Sequence, residues 1–183
     1  MKLDESWQRY FGGKYPHLVA RYDAMVALVK PPSVLDIGCG QGLLGFLLCV
    51  GRTEITKNVG VDISEMILRD GRRCMGSCRA KVELKRADAY DLPFEDESFT
   101  TVVLCEILEH LNMPGLVILE ALRVLAPEGR LITSVPADEV RRSKAHCMVF
   151  SNVGQLQDLF ANRIKWRGAE RLFRWYFAWG DKR

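Results

Sequence analysis

The sequence contains no hydrophobic run long enough to cross a lipid bilayer, which takes about 20 consecutive apolar residues. Residues 1–16 lack the apolar core of a secretory signal, so we expect the chain to be cytoplasmic. Internal repeats, linkers and low-complexity segments are also absent from the sequence. These absences remove membrane-spanning proteins and repeat arrays from the classes to be considered.

Cysteines are few and show no spacing that is typical of a metal site. The six cysteines form no Cys-x-x-Cys pair, which argues against structural zinc, and a cytosolic chain is expected to keep them as reduced thiols. The net charge is only +3, from 26 basic and 23 acidic residues, which is too mild to indicate nucleic-acid binding by itself. What remains is a chain of 183 residues, 48% of them hydrophobic, enough to bury the core of one domain over residues 1–183.

Strand-like and helix-like segments alternate along most of the chain. Short apolar runs typical of strands occupy residues 34–37, 57–63, 82–87, 99–104 and 129–136. Helical spacing of apolar residues marks residues 17–29, 43–50, 64–79, 113–125 and 151–160. This alternation predicts an α/β fold with a doubly wound sheet that binds ligands at the carboxyl ends of its strands. Residues 163–180 are consistent with a closing antiparallel hairpin.

A glycine turn joins the first predicted strand to the helix that follows it. Residues 33–45 read S-V-L-D-I-G-C-G-Q-G-L-L-G, so that Gly38, Gly40 and Gly42 follow directly on the strand. Glycine permits a positive φ angle, and its missing Cβ lets a ligand approach the main chain. Because the N-terminus of the next helix faces the same ligand, this stretch predicts a cofactor site.

Two classes of cofactor fit this turn. Residues 40–45 spell G-x-G-x-x-G, the dinucleotide fingerprint, but in a dinucleotide site the first glycine closes the strand, and here Gly38 already stands there. Asp36 lies at the end of the strand, where a carboxylate suits a cation and would repel a pyrophosphate. The residues therefore favour a cationic cofactor, and an NAD-dependent oxidoreductase is the alternative.

Residues 36–42, D-I-G-C-G-Q-G, resemble motif I of the class I S-adenosylmethionine-dependent methyltransferases, D-x-G-x-G-x-G. Residues 87–111 resemble the motif II to motif IV region of the same family, and residues 122–132 its helix-to-fifth-strand junction. The resemblance covers about residues 15–180 and is strongest to small-molecule enzymes like those of ubiquinone biosynthesis. It implies a Rossmann-like sheet of seven strands, mostly parallel with a reversed last strand, and S-adenosylmethionine as the cofactor.

Carboxylates follow three successive predicted strands and outline the expected cofactor pocket. Asp62 can accept the two ribose hydroxyls of an adenosine, and the resemblance places Asp88 at the adenine amino group. The alternative for Asp88 is that it only caps a turn. The expected cofactor-binding residues are Asp36, Gly38, Cys39, Gly40, Gly42, Asp62, Ile63, Asp88, Ala89 and Cys105.

Candidate catalytic residues follow the fourth predicted strand. A hydroxyl acceptor needs a base, and Glu106, Glu109 and His110 have the i, i+3, i+4 spacing of one helical face. His146 lies in H-C-M-V-F-S, which resembles the H-x-x-x-F-S/T segment of small-molecule methyltransferases. We therefore predict Glu106, His110 and His146 as catalytic residues. A divalent metal is not favoured, and if one is present it would be held by Glu106, Glu109 and His110.

The expected activity is methyl transfer to a small-molecule acceptor, most simply a hydroxyl. The E-x-x-E-H segment also resembles metal-dependent enzymes that methylate the terminal 2′-hydroxyl of small RNAs, and such an enzyme is the alternative. A nucleic-acid platform in the hairpin, built on Trp166, Trp175 and Trp179, is ranked below a plain charged sheet edge. A non-catalytic cofactor-binding or partner-activating subunit is a further alternative.

The predicted domain has three parts. Residues 1–30 are expected to form a helical lid, in which Trp7, Tyr10, Phe11 and Tyr15 could wall the substrate side. Residues 31–136 form the cofactor core, and residues 137–183 form a loop over the active site, a helix and the closing hairpin. The substrate-selecting parts are therefore expected at the two ends of the chain.

Overall fold

A computed structural model of the chain describes residues 16–137 and 146–183. The helices are α1 (Pro16–Leu28), α2 (Leu43–Gly51), α3 (Glu65–Cys74), α4 (Pro114–Val124) and α5 (Val153–Asp158). The strands are β1 (Ser33–Ile37), β2 (Lys57–Asp62), β3 (Glu83–Arg86), β4 (Phe99–Cys105), β5 (Leu125–Pro136), β6 (Ile164–Leu172) and β7 (Trp175–Lys182). The predicted aromatic wall, Trp7, Tyr10, Phe11 and Tyr15, and most of the predicted active-site loop lie outside the described residues. None of the described helices is long and apolar enough to cross a membrane.

Seven strands form one sheet in the order β3-β2-β1-β4-β5-β7-β6. Strands β1 to β5 pair in parallel, whereas β7 lies antiparallel between β5 and β6. The doubly wound, mostly parallel sheet with a reversed last strand is confirmed. Because the strand order changes direction between β1 and β4, the connections leave a crevice at the carboxyl ends of these two strands.

The strands β1, β4 and β5 are buried on both faces, as their apolar runs predict. On one face of the sheet, Val102 and Leu104 pack with Val117, Ile118 and Ala121 of α4. On the other face, β4 and β5 pack with α1 and α2, through residues that include Met25, Val29, Leu44, Leu48, Val103 and Ile132. Helices therefore cover both faces of the sheet on either side of the crevice.

The helix predicted over residues 64–79 is shorter in the structure. Its start is as expected, since Ser64 caps α3 by accepting a hydrogen bond from the Ile67 amide at 3.4 Å. Its end is earlier, because Gly76 has a φ of 51° and breaks the helix, and a 3-10 helix, Gly76–Ala80, follows. Strand β5, in contrast, begins at Leu125 rather than at residue 129.

Cys49 of α2 and Cys78 of the 3-10 helix form a disulfide. The prediction of reduced thiols is wrong for this pair. Nothing in the cysteine spacing joins these two positions, but α2 and the 3-10 helix pack on each other, which brings the two Cα atoms to 6.0 Å, a distance a disulfide can span. The remaining cysteines, Cys39, Cys74, Cys105 and Cys147, are thiols.

The three hairpin tryptophans are used in packing within the protein. Trp166 contacts Phe160 edge-on with ring centres 5.5 Å apart, and Trp179 packs on Phe177 at 5.7 Å. Trp175 is buried. An exposed stacking platform for bases is therefore not built from these side chains, in agreement with its low rank among the sequence predictions.

The buried carboxylate of Asp181, in β7, links this strand to β5, to β6 and to the segment before β1. The oxygens of Asp181 accept hydrogen bonds from Lys30 Nζ at 2.8 Å, Arg130 Nε at 2.9 Å and Arg167 Nε at 2.7 Å. Burial by itself would raise the pKa of Asp181, but these three cationic donors outweigh it and hold the pKa well below its usual range. Asp181 is thus charged at every physiological pH.

We expect Asp181→Asn to lower the free energy of unfolding by about 3 kcal/mol at neutral pH, because three cations lose a shared buried carboxylate. A lowered folded pKa stabilises the fold above the usual aspartate range, and this contribution is lost as the pH falls through that range. Denaturant unfolding at neutral pH and near pH 3 should therefore show a difference between wild type and variant that shrinks in acid. Asp158→Asn, at an exposed position, is the control, and an equal difference at both pH values would contradict this account.

Candidate functional site

The glycine turn begins where β1 ends and is held to β2 by main-chain bonds. The amides of Gly38 and Cys39 both donate to the carbonyl of Val61, at 2.8 and 2.9 Å. Gly38 and Gly40 have φ angles of 75° and 55°. A Cβ at Gly38 would lie 2.8 Å from Ile107 Cδ1, whereas at Gly40 nothing stands within 4 Å. The turn therefore needs glycine at its first position for space and leaves the main chain open at its second.

The carboxylate of Asp62 braces this turn from the end of β2. One oxygen accepts a hydrogen bond from the Gly40 amide at 3.0 Å, and the other accepts one from the Ser64 amide at 2.9 Å. Each carboxylate oxygen can accept a second bond. Asp62 can therefore hold the turn and the start of α3 in place and still receive two hydroxyls from a ligand.

Two cavities open at the carboxyl ends of the strands. The first, which we call the Asp62 cavity, has a volume of about 480 Å³ and is lined by Ile37, Gly38, Val61, Asp62, Ile63, Ala87, Asp88, Ala89, Tyr90, Glu106, Ile107, His110 and Leu111. The second, the Arg21 cavity, has a volume of about 400 Å³ and is lined by Arg21, Tyr22, Gly38, Cys39, Gly40, Gln41, Leu43, Ile67, Cys105 and Glu106. Gly38 and Glu106 line both, so one elongated ligand could pass from one cavity to the other.

Most of the predicted cofactor residues line these cavities. Gly38, Asp62, Ile63, Asp88 and Ala89 line the Asp62 cavity, and Gly38, Cys39, Gly40 and Cys105 line the Arg21 cavity. Asp88 also accepts a hydrogen bond from the Tyr90 amide at 3.0 Å, so it caps a turn in addition to facing the cavity.

Two predicted cofactor residues, Asp36 and Gly42, line neither cavity. A Cβ at Gly42 would lie 2.6 Å from Leu84 Cδ2 and 2.8 Å from Met75 Cε, so packing covers this glycine. Asp36 lies within β1, and its burial raises the pKa of its carboxyl to about 7, while the charge of Arg21 opposes the shift. Direct contact of these two residues with a cofactor is not supported by this geometry.

The cavity cysteines are suited to apolar lining rather than to nucleophilic chemistry. Burial raises the pKa of the Cys105 thiol to about 12, and it raises the pKa of Cys39 even further above the usual range. A thiol acts as a nucleophile only when it loses its proton. Both cysteines therefore remain protonated at physiological pH.

The prediction that Glu106, Glu109 and His110 share one helical face is wrong. Glu106 follows β4 with a φ of 57°, and the next element is a single 3-10 turn, Leu108–His110. Because the i, i+3, i+4 rule needs a continuous α-helix, the side chains separate. The predicted metal set of these three residues is therefore not brought together as one cluster.

Glu106 instead joins a cluster with α1, β5 and β7. Its Oε2 accepts a hydrogen bond from Trp175 Nε1 at 2.6 Å and lies 3.3 Å from Arg21 Nη1, and its Oε1 pairs with Ser134 Oγ at 3.1 Å. Burial raises the pKa of Glu106, although the charge of Arg21 and the bond from Trp175 oppose the shift. These partners make Glu106 a fixed part of the cavity wall.

Glu109 and His110 meet His146 on the other side of the 3-10 turn. The amides of Cys147 and Met148 donate to the Glu109 carbonyl at 2.7 and 3.2 Å, which brings the His146 and His110 rings to 4.9 Å, edge to face. One donor atom from each of Glu109, His110 and His146 lies within 4.8 Å of the others. This cluster has the chemistry of a proton-accepting site or of a cation site.

Glu109 is the buried member of this cluster, only 1% exposed. Burial, and then the charge of Glu106, raise the pKa of the Glu109 carboxyl to about 8. Its Oε2 has no hydrogen-bond partner among the described residues. A buried acceptor without a partner is rare in folded proteins and indicates a place for a ligand group or a proton.

Arg21 is a site residue that the sequence analysis missed. It lies on α1, is 7% exposed and lines the cavity named after it, and its Nε has no partner within the described ranges. The available signal was its position, three residues after Leu18 and four before Met25, which places a basic residue on the apolar face of a predicted helix. A buried cation of this kind is normally paired with an anion, which the protein or a ligand supplies.

Comparisons with known proteins agree with this geometry. A family model described as a methyltransferase domain matches residues 35–133. Demethylmenaquinone methyltransferase from Clavibacter sepedonicus is 32% identical over 169 residues, covering 85% of this chain and 67% of that protein. 27-O-demethylrifamycin SV methyltransferase from Amycolatopsis mediterranei is 31% identical over 114 residues, 62% of this chain and 42% of that protein.

A solved structure from Aquifex aeolicus, titled as a SAM dependent methyltransferase, superposes with a TM-score of 0.75 at 16% identity and covers 100% of both chains. At this identity the likeness concerns the fold. This chain spans about two thirds of the first curated relative and less than half of the second, so the activity of those whole proteins is not carried over to it.

We expect Asp62→Ala to weaken the binding of S-adenosylhomocysteine by about 10- to 100-fold, because two charged hydrogen-bond acceptors and the brace on Gly40 are lost together. Titration calorimetry measures this. Asp70→Ala, on α3 and paired with Arg73, is the control and should bind as wild type does. Unchanged affinity of the Asp62 variant would contradict the assignment of the ribose site.

Proposed function

The chain belongs to the class I S-adenosylmethionine-dependent methyltransferases, and we propose that it transfers a methyl group to a hydroxyl of a small-molecule acceptor. The family assignment removes the NAD-dependent oxidoreductase from the alternatives. The observation that carries the hydroxyl proposal is the cluster of Glu109, His110 and His146, of which His110 lines the Asp62 cavity. Removing a hydroxyl proton is the task for which such a cluster is suited.

The residues present fit S-adenosylmethionine across both cavities. The adenosine half matches the Asp62 cavity, where Asp62 offers oxygens to the ribose, Asp88 lies further along the wall, and Ile63 and Ala89 supply apolar surface. The bound cofactor supplies a methyl group on a cationic sulfur, and the protein's part is to align the acceptor and keep water out.

The Arg21 cavity fits the amino-acid half of the cofactor. The unpartnered Nε of buried Arg21 suits a carboxylate, and Glu106, which lines the same cavity and is paired with Arg21 Nη1 at 3.3 Å, suits an ammonium group. Gly40 has no atom within 4 Å of its missing Cβ, so the main chain can be approached there. A zwitterion bound beside this ion pair would add no net charge to the buried site.

His110 is the proposed general base. It lines the Asp62 cavity, its Nε2 lies 3.7 Å from Glu109 Oε1, and the ring of His146 stands against it. In this arrangement His110 accepts the proton from the acceptor hydroxyl, and Glu109, which lies beside the ring, helps to orient it. Glu106, in contrast, is proposed to bind and orient the cofactor rather than to take a proton.

We expect His110→Ala to lower kcat by at least about 100-fold while the affinity for S-adenosylhomocysteine changes by less than about threefold. Asn112→Ala is the control, since Asn112 is exposed and lies two residues further on. Suitable acceptors are a catechol and a naphthohydroquinone, with the product identified by mass spectrometry and NMR. Methyl on a ring carbon or a nitrogen would contradict the hydroxyl proposal and leave the family assignment intact.

A second candidate function is metal-dependent 2′-O-methylation of RNA, and one observation favours it. The structure brings His146 to Glu109 and His110, which is where the RNA-modifying enzymes named in the resemblance need a second histidine. In that case a chelator should abolish activity, and RNA binding should weaken steeply with salt. Activity on a small hydroxylated aromatic that persists in chelator would support the first proposal instead.

The domain division and the location of the protein stay predictions. Residues 1–30 as a lid and residues 137–183 as the substrate side are consistent with α1, whose Arg21 lines the Arg21 cavity, and with His146, which meets His110 of the Asp62 cavity. The cytoplasmic location predicted from the sequence is untested by this geometry.

A further inference from the structure

Trp175, the first residue of β7, contacts both charged residues of the Arg21 cavity. It is 4% exposed, and its Nε1 donates to Glu106 Oε2 at 2.6 Å. The guanidinium of Arg21 lies over its ring at 4.3 Å from the ring centre. One side chain of the closing hairpin therefore reaches across to α1 and to the end of β4.

The oxygen that Trp175 holds is the same one that faces Arg21. Glu106 Oε2 receives the short bond from Trp175, whereas the distance from Arg21 Nη1 to this oxygen is longer, 3.3 Å. Arg21 thus forms its ion pair with Glu106 through Nη1. This leaves donors of Arg21, including the unpartnered Nε, for another anion.

The backbone at Glu106 is held in an unfavourable conformation. Its φ of 57° is uncommon for a residue with a side chain, and it is fixed by a bond from the Glu106 amide to the Ser134 carbonyl at 3.0 Å. The bonds from Ser134 Oγ and Trp175 Nε1 then fix the carboxylate. Strain of this kind persists where the surrounding structure determines it, which is often at a functional site.

We propose that Trp175 is a positioning residue of the cofactor site, which holds the Arg21–Glu106 ion pair so that Arg21 faces the carboxylate and Glu106 faces the ammonium of the cofactor. Its ring fixes the plane of the Arg21 guanidinium, and its N–H fixes the Glu106 carboxylate. The inference rests on the proposed function, because it needs the amino-acid half of the cofactor to lie in the Arg21 cavity.

The first experiment compares the affinity for S-adenosylhomocysteine of wild type, Trp175→Phe and Trp179→Phe by calorimetry. Phenylalanine keeps a ring beside Arg21 and loses the donor to Glu106, so we expect about tenfold weaker binding. Trp179, on the same strand, packs on Phe177, and its variant should stay within about twofold of wild type. Equal losses in both variants would show a general effect on the hairpin and would overturn the proposal.

A double-mutant cycle with Glu106→Gln separates positioning from structural support. If Trp175 acts through Glu106, adding Trp175→Phe to Glu106→Gln should cost little further affinity. Additive losses would overturn the proposal, whereas a wild-type chain that fails to bind S-adenosylhomocysteine would overturn the proposed function itself.

A spectroscopic test covers the case in which Trp175→Phe does not fold. The triple variant Trp7→Phe, Trp166→Phe and Trp179→Phe leaves Trp175 as the only one of the four tryptophans of the sequence. Binding of S-adenosylhomocysteine is expected to change its tryptophan emission, because the charges beside the Trp175 ring gain new partners. Emission that stays constant at saturating ligand would overturn the proposal.

Discussion

The hydrogen bonds of the Asp62 carboxylate hold the glycine turn and the start of α3 in one position. They join the end of β2 to Gly40 and to Ser64, and the walls of both cavities begin at these residues. Hydrogen bonds from main-chain amides to a carboxylate are stronger than those to a neutral acceptor. The turn can therefore present open main chain to a ligand without losing its shape.

Buried polar atoms without a hydrogen-bond partner indicate where this site can bind a ligand group. Three buried side-chain polar atoms in the described part of the chain lack a hydrogen-bond partner, and two of them are Arg21 Nε and Glu109 Oε2. Arg21 lines the Arg21 cavity, and Glu109 belongs to the cluster with His110, which lines the Asp62 cavity. Since nearly all buried polar groups in folded proteins are satisfied, this placement is informative. The Arg21 cavity is suited to bind an anion, and the cluster of Glu109, His110 and His146 is suited to bind a proton or a cation.

Much of the fold was predictable because its signals are local. Apolar runs, the glycine turn and the acids at the carboxyl ends of β1, β2 and β3 follow from strand and turn chemistry, and the predicted doubly wound, mostly parallel sheet is confirmed. Where the prediction failed, distant contacts decided. Glu106 does not share a helical face with Glu109 and His110, because Ser134 and Trp175 bind its carboxylate. Cys49 and Cys78 form a disulfide because the two helices that carry them pack on each other.

The sequence by itself determined the class of fold, the glycine turn, the carboxylate of Asp62 at the end of β2 and the histidine-bearing segment after β4, since each depends on neighbours in the chain. Only the tertiary structure decided that Arg21 and Trp175 meet at Glu106 and that His146 joins Glu109 and His110. These contacts connect elements far apart in sequence, and the physical reason is that parallel strands bring their carboxyl ends to one edge of the sheet, while the reversed β7 returns Trp175 to that same edge.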